Sequence, residues 1–452
     1  MGESNRIYCD CYNCNPGLEM INDTDSFSSE AISGLQGTCV VVGDKSISHR
    51  SLILSSIAEG TTRISGMLKS TDVQSTLNAM CALGVRISIL EDDVVEVIGV
   101  GMHGLQQPQK PLDLGNSGTG VRLLMGVVAG QKINATFIGD ESLSGRPMRR
   151  ITEPLCQMGI QVSYSGDGLL PVTMTGRSSP LPISYNSPVA SAQIKSAILL
   201  AGLNARGITS VIEPTKSRDH TERMLRHFGV EVDTQSNLNG SYRASVTGGV
   251  TLQAKDIIVP RDPSSAAFLI VAGLITENSH LLLPTIGMSP ERIGLITTLR
   301  EMGGRIKISN EREIGGEQVA DLVVSSSQLK GIAIPADRAP SMIDEYPILC
   351  IAAAMANGPT VMVNIGELRH KEADRIAIMA KGLRLAGVNV DETETTMRVY
   401  GTKTGNRNSY IKGGFSIHSE HDHRIAMSFL TLGFVSSDRI IVDGVSTIDT
   451  SF

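Results

Sequence analysis

The sequence predicts an α/β protein of two similar lobes, each made of three βαβαββ repeats, with the last repeat truncated. Three observations lead there. First, a small polar cluster opens an apolar helix six times. The copies are Gly43-Asp-Lys-Ser-Ile-Ser-His-Arg50, Gly115-Asn-Ser-Gly-Thr-Gly-Val-Arg122, Ala190-Ser-Ala-Gln-Ile-Lys195, Asp262-Pro-Ser-Ser-Ala-Ala267, Ile343-Asp-Glu-Tyr346 and His421-Asp-His-Arg424. Anchored on Ser46, Asn116, Ser191, Ser264, Asp344 and Asp422, the steps are 70, 75, 73, 80 and 78 residues, the mark of one supersecondary unit used repeatedly. Second, in five of the six repeats a later helix closes on an apolar residue and a Gly, at Leu83-Gly84, Met158-Gly159, Phe228-Gly229, Met302-Gly303 and Ala386-Gly387. A left-handed helix C-cap requires that Gly. Third, three repeats precede residue 260 and three follow it.

The elements follow in order within each repeat. Helix starts leave N–H groups unpaired and carry a positive dipole end, so each polar cluster is a potential anion site. Strand-like stretches such as Val85-Arg-Ile-Ser-Ile89 and Val230-Glu-Val232 come after the Gly closures. The sixth closure is missing, since the sequence ends at Phe452 soon after the strand Arg439-Ile-Ile-Val442. About one helix and its strand are therefore expected to be lost. The strand Cys39-Val-Val-Val42 is expected to start in one lobe, with a crossing at Gly43 and a return near Pro260-Arg-Asp262. That gives one lobe of residues 44–261 and another of 31–43 plus 262–452. Two crossings make a hinge, and substrates are expected in the cleft it closes. Residues 1–30 are polar and read as a disordered tail, with Met1 and Met20 both possible starts.

Composition removes several functional classes. Net charge is −6, aromatics are 4% and Trp is absent, which argues against a nucleic-acid partner. No apolar run reaches the ~18 residues needed to span a bilayer, and Phe268-Leu-Ile-Val-Ala-Gly-Leu-Ile275 reads as a buried helix. The first thirty residues resemble neither a signal nor a transit peptide, so a cytoplasmic location is expected. Cys39, Cys81, Cys156 and Cys350 lie in apolar patterns and read as reduced core thiols. Cys9, Cys11 and Cys14 lack an evident fourth ligand, so no metal is expected. Against the acidic balance, Lys45, Arg50, Arg122, Arg146, Lys195, Arg218, Lys371, Arg375 and Arg424 gather in or near the repeat motifs.

Lys45 and Ser46 invite comparison with a phosphate-binding P-loop. Asp44 separates Gly43 from Lys45 and the upstream Gly is absent, so that reading fails. Lys45 still offers a mobile point charge at a helix start. In Glu367-Leu-Arg-His-Lys-Glu-Ala-Asp-Arg375, Lys371 and Arg375 have i,i+4 spacing and are expected on one helix face beside Glu372, able to grip a carboxylate or phosphate. Asp344 reads as a helix N-cap and, with Glu372, as a candidate acid/base pair.

Taken together, these segments resemble 5-enolpyruvylshikimate-3-phosphate synthases. The resemblance rests on Gly43–Arg50, Leu112-Asp-Leu-Gly-Asn-Ser-Gly-Thr119, Arg146-Pro-Met148, Ala190-Ser-Ala-Gln193, Ser217-Arg-Asp-His-Thr-Glu222, Glu367-Leu-Arg369, Lys371-Glu372, Asp374-Arg375 and Asp422-His-Arg424. It runs from about Gly34 to Phe452. Ser217–Glu222 and Ile343–Tyr346 resemble the bacterial class II subgroup. The family's fold, an inverse α/β barrel in each lobe, agrees with the repeat count.

The resemblance implies a reaction between shikimate 3-phosphate and phosphoenolpyruvate, with no metal or organic cofactor. It implies Lys45, Ser46, Arg50, Ser191, Ala192, Gln193, Arg218, Asp344 and Lys371 as shikimate 3-phosphate ligands. It implies Lys45, Asn116, Gly118, Arg146, Gln193, Arg375 and Arg424 as phosphoenolpyruvate ligands. Asp344, Glu372, Lys45 and Lys371 would carry the chemistry. A monomer is implied, with glyphosate as an inhibitor competing with phosphoenolpyruvate. Val42, Arg261 and His370 depart from the usual residues without removing a reacting group. Two alternatives stand beside this reading. One is the related UDP-N-acetylglucosamine enolpyruvyl transferase, whose loop Cys has no counterpart near Arg146. The other is a folded but inactive truncated relative that only binds anions.

Overall fold

The computed structural model describes residues 18–20, 25–238, 240–404, 407–408 and 411–450. The chain divides into two compact units. One holds Gly43–Pro260 with Glu313–Glu317; the other holds residues up to Val42, Arg261–Arg312 and Gln318–Asp449. The sequence alone puts residues 313–317 in the later lobe. They group with the 43–260 unit, where Glu317 Oε1 lies 2.9 Å from His220 Nδ1 and both side chains are buried.

Each four-stranded sheet has one parallel edge strand followed by three antiparallel strands, with the last two in swapped order. In the 43–260 unit, one sheet runs Ile257–Ile258, Glu59–Ser65, Val95–Val100, Arg86–Ile89. The next runs Leu112–Asp113, Asn134–Ile138, Val172–Thr175, Gln161–Tyr164. The third runs Ser184–Asn186, Ile208–Glu213, Tyr242–Thr247, Val232–Ser236. One face of each sheet supplies core residues, such as Ile64, Val97, Phe137, Met174, Val211 and Ala244. The repeats are thus related in topology as well as in sequence spacing.

The sheet of the sixth repeat corrects the sequence reading. It is four-stranded, in the order Leu18–Met20, Ser26–Ser29, Ile440–Asp443, Phe415–His418. Ser26–Ser29 pairs antiparallel with Ile440–Asp443, and Ser29 lies against Gly433. The place filled in other repeats by strands after the second helix is here filled from the start of the chain. Residues 26–29 are therefore ordered strand rather than disordered tail. The cause is that Ile440 and Val442 are fully buried, and their backbone needs a ladder partner. Cys9, Cys11 and Cys14 lie outside the described residues.

The helices of the 43–260 unit that open the repeats are Lys45–Ile57, Gly118–Ala129 and Ala192–Gly202. Those of the other unit are Pro263–Ile275, Tyr346–Ala354 and His423–Gly433. Asp44, Ser117, Ser191, Asp262 and Asp422 cap five of them with side-chain acceptors. These caps replace Ser46, Asn116 and Ser264 as the anchors of three repeats. All five glycines read as C-caps are left-handed, with φ of 90°, 85°, 86°, 91° and 81° at Gly84, Gly159, Gly229, Gly303 and Gly387. The residue before each is fully buried, so the closure also pins the helix end to the core. Phe268–Ile275 lies in a buried helix, as its composition implied. Among the described residues no helix is long and apolar enough to cross a membrane. Cys39 and Cys350 are core thiols, but Cys81 and Cys156 are exposed, each on the outward side of its helix.

Candidate active site

In the 43–260 unit the site residues gather at helix N-termini. Asp44 Oδ1 accepts from Ile47 N at 2.8 Å, which starts the helix at Lys45. Lys45 Nζ lies 2.5 Å from the buried Asp72 carboxylate, so that aspartate sets where the mobile charge rests. Arg50 is buried one turn further on. Its Nε donates to Thr221 Oγ1 at 2.7 Å, Nη1 to Ser46 O at 2.9 Å, and Nη2 to Ser196 Oγ at 3.0 Å. Burial lowers its pKa to about 10, against the opposing pull of Glu222 and Asp44. It remains charged at neutral pH and braces the turn that carries Ser46.

Asn116 and Arg146 form a second group. Asn116 Oδ1 accepts from Arg146 Nη2 at 2.8 Å, and Asn116 Nδ2 donates to Asp140 at 2.8 Å. Gly118 begins the next helix, and its carbonyl accepts from Arg122 Nη1 at 3.1 Å. The same Arg122 atom donates to Gln193 Oε1 at 3.1 Å, while Gln193 Nε2 donates to Thr119 at 3.2 Å. Gln193 thereby ties the Ser191-Ala192-Gln193 helix start to the Gly118 helix start. Arg122 is one of the basic residues of the repeat motifs, but the resemblance does not imply it as a ligand. Its place four residues after Gly118 on the same helix was the available signal.

Ser191 caps its helix, and its own N–H donates to Glu213 Oε1 at 2.7 Å. Arg218 is half-buried on the turn after Ser217. Ser46, Ser191, Ala192 and Gln193 are also partly accessible, as ligand contacts must be.

In the 261–449 unit, Asp344, Lys371, Glu372, Arg375 and Arg424 form one cluster. Two local expectations change. Asp344 is not the helix cap: Glu345 is, and the helix starts at Tyr346 with Pro347 in its first turn. A proline in the first turn fixes the start of the helix, so the Asp344 side chain is left for another task. Nor do Lys371 and Arg375 share a helix face. Gly366–His370 is a 3₁₀ turn, and the α-helix starts at Arg375 because Asp374 Oδ1 accepts from Ala377 N at 3.0 Å. The two cations converge through tertiary packing instead. Lys371 Nζ and Arg375 Nη1 each lie 3.5 Å from Asp344 Oδ1.

Arg375 is only 2% exposed in its side chain. Its Nε donates to Asp422 Oδ2 at 2.7 Å and its Nη2 to Glu372 Oε2 at 2.7 Å. Burial alone would lower its pKa, but Asp422, Glu372 and Asp344 outweigh burial and raise it. Nη1 is buried and makes no hydrogen bond among the described residues. The carboxylate facing it, Asp344, stands off at 3.5 Å, so an incoming anion at hydrogen-bond distance would pair it better.

Arg424 donates to the Asp344 carbonyl at 3.0 Å and approaches Glu345 Oε1 at 3.4 Å. Glu345 in turn accepts from Ser264 Oγ at 2.5 Å, and Arg292 Nη2 binds both Ser264 Oγ and Asp262 Oδ1 at 2.8 Å. This buried chain holds Arg424 and the Asp344 backbone in register. Sequence reasoning missed Glu345 as a site member, since it adjoins the more visible Asp344.

Both units therefore present cations at helix starts, and the later unit adds two carboxylates held beside them. Residues 29–452 match the EPSP synthase family, described as 3-phosphoshikimate 1-carboxyvinyltransferase. The 3-phosphoshikimate 1-carboxyvinyltransferase of Parvibaculum lavamentivorans is 51% identical over 431 residues, 95% of this chain and 94% of that protein. The protein of that name from Rhodospirillum rubrum is 50% identical over 422 residues, 92% of each chain. A solved structure of EPSP synthase from Acinetobacter baumannii superposes with a TM-score of 0.85 at 46% identity, covering 94% of this chain and 96% of that one. The enolpyruvyl transferase NikO from Streptomyces tendae shares the fold, with a TM-score of 0.70 at 17% identity over 94% of each chain. The fold is that of the enolpyruvyl transferases. Within them, the chain belongs to the EPSP synthase family.

Proposed function

We propose that the protein transfers the enolpyruvyl group of phosphoenolpyruvate to the 5-hydroxyl of shikimate 3-phosphate and releases phosphate. Family membership supports this reaction. The observation that carries the chemistry is the Asp344 carboxylate lying 3.5 Å from both Lys371 and Arg375, with Glu372 held at Arg375. Asp344 accepts the proton of the 5-hydroxyl as its oxygen attacks C2 of phosphoenolpyruvate. Glu372 donates a proton to the methylene carbon, which becomes a methyl group. In the tetrahedral intermediate the C–O bond to phosphate then breaks with its electron pair going to the phosphate oxygen, and the departing phosphate takes up the proton that Asp344 accepted. Glu372 recovers a methyl proton, and the double bond re-forms. Lys45 and Lys371 offset the negative charge that builds on the leaving phosphate.

In this reading Lys45, Ser46, Arg50, Ser191, Ala192, Gln193 and Arg218 hold shikimate 3-phosphate, joined by Asp344 and Lys371. Arg50 acts partly through the Ser46 carbonyl it binds. Lys45, Asn116, Gly118, Arg146, Gln193, Arg375 and Arg424 hold phosphoenolpyruvate. Arg375 Nη1, which faces Asp344 at 3.5 Å and makes no hydrogen bond among the described residues, supports a carboxylate or phosphate there. Glyphosate, an anion of similar size, competes for the same cations. Incubating the protein with both substrates and identifying the product by mass spectrometry and phosphorus NMR tests the reading. A new enolpyruvyl ether with equimolar phosphate supports it, and phosphate without the ether contradicts it.

A further inference from the structure

Lys195 is fully buried and lies between two fully buried carboxylates. Its Nζ is 3.0 Å from Glu213 Oε2 and 2.8 Å from Glu222 Oε1. It also donates to the Ser217 carbonyl at 3.3 Å and stands 5.0 Å over the Tyr242 ring. Glu213 does more than neutralise it. Glu213 Oε1 accepts from Ser191 N at 2.7 Å and from Ser217 Oγ at 2.7 Å. One carboxylate thus fastens the cap of the Ala192–Gly202 helix to the turn that presents Arg218, and Lys195 clamps both the carboxylate and the turn. Burial pulls the Lys195 pKa down, but Glu222 and Glu213 outweigh it and raise it, so the ammonium stays charged.

Holding an ammonium and two carboxyl groups out of water costs several kcal/mol per ion before pairing; burial raises the Glu222 pKa against the pull of Lys195, and apolar side chains of similar volume often serve a fold as well or better. The helix His220–His227 already has its own brace, since Asp219 pairs with Lys216 at 3.0 Å and Arg223 at 2.8 Å. The groups the network fixes are Ser191 and the Ser217-Arg218 turn.

We propose that Lys195, Glu213 and Glu222 are positioning residues that set the affinity for the phosphorylated substrate by fixing Ser191 and Arg218. This rests on the reading above that Ser191 and Arg218 hold shikimate 3-phosphate. The test uses Lys195→Met and the charge-compensated Lys195→Met/Glu222→Gln, which avoids leaving two unpaired carboxylates in the core. In both, KM for shikimate 3-phosphate and its calorimetric Kd for the free protein rise about tenfold or more, while KM for phosphoenolpyruvate and kcat stay within about twofold. Lys195→Arg recovers part of the loss. Combining Lys195→Met with Arg218→Ala costs less than the product of the single effects, because both act through one group. A folded Lys195→Met/Glu222→Gln protein with unchanged affinity for shikimate 3-phosphate overturns the proposal. So does an equal rise in both KM values, which indicates general loosening. If Arg218→Ala and Ser191→Ala leave that affinity unchanged, the ligand assignment itself fails and the proposal falls with it.

Discussion

Arg375 Nε and Asp422 Oδ2 are 2.7 Å apart, and both side chains are out of solvent. The pair joins the first residue of one helix to the cap of the next, since Asp422 Oδ1 also accepts from Arg424 N at 2.9 Å. One aspartate therefore orients two arginines assigned to phosphoenolpyruvate. Asp422→Asn keeps the cap acceptor but removes the charge. Breaking a buried pair on one side costs about 3–5 kcal/mol, so denaturant unfolding should register a loss of that order. KM for phosphoenolpyruvate should rise more than KM for shikimate 3-phosphate.

Gly118 sits where a side chain would be felt at once. A Cβ there would lie 2.8 Å from Arg122 Nη1 and 3.2 Å from Arg146 Nη1. Both guanidinium tips must move to admit a methyl group. Gly118→Ala should raise KM for phosphoenolpyruvate modestly and weaken glyphosate inhibition by about tenfold or more, the scale of one added carbon in a tight pocket. Steady-state inhibition curves on both proteins check this, and equal inhibition would contradict it.

Acid stability should depend on Asp219. Burial raises its carboxyl pKa, but bonds from Arg223 and the charge of Lys216 more than reverse that and bring it to about 2 from an ordinary 3.8. The folded value lies below the unfolded one. The contribution is therefore complete above the unfolded value and is lost as pH falls toward the folded one. At about 1.4 kcal/mol per tenfold, it amounts to about 2 kcal/mol. Asp219→Asn should be less stable by that order near neutrality, with the gap closing as pH falls from about 4 to about 2. Urea unfolding across that range measures it.

Packing between the helices Arg375–Leu385 and His423–Gly433 depends on Gly382, against which the Phe429 ring sits directly. A methyl group at Gly382 would overlap that ring and crowd Ile417. Overpacking of this kind costs typically 1–3 kcal/mol, so Gly382→Ala should melt earlier by several degrees. An unchanged melting temperature would mean that the helices part without cost.

Much of this architecture is legible in the sequence because its signals are local. Each apolar-Gly closure needs only a buried anchor and a left-handed residue, and all five appear where the pairs Leu83-Gly84 through Ala386-Gly387 stand. The clustering of Asp344, Lys371, Glu372, Arg375 and Arg424 was also foreseeable, but its geometry was not. Pro347 and Asp374 reset two helix starts, which moves Asp344 off the cap and Lys371 off the helix. Both signals stand in the sequence: Pro347 competes with the common preference for Asp at a helix cap, and Asp374 with the i,i+4 spacing of Lys371 and Arg375. The sixth sheet was invisible for another reason. Ser26-Phe-Ser-Ser29 carries one apolar residue, and its partner Ile440–Asp443 lies more than four hundred residues away. The Lys195–Glu213–Glu222 network is likewise a product of tertiary folding that no spacing announces.

The most direct test is the rate of phosphate release from phosphoenolpyruvate and shikimate 3-phosphate, measured for the protein and for Glu372→Gln. The account expects release that requires both substrates and a fall of about 10²–10⁴-fold in the variant, the usual share of a positioned acid/base group. The variant should still be stabilised thermally by shikimate 3-phosphate, which separates lost chemistry from lost folding. Release that proceeds without shikimate 3-phosphate, or that is unchanged in Glu372→Gln, would contradict it.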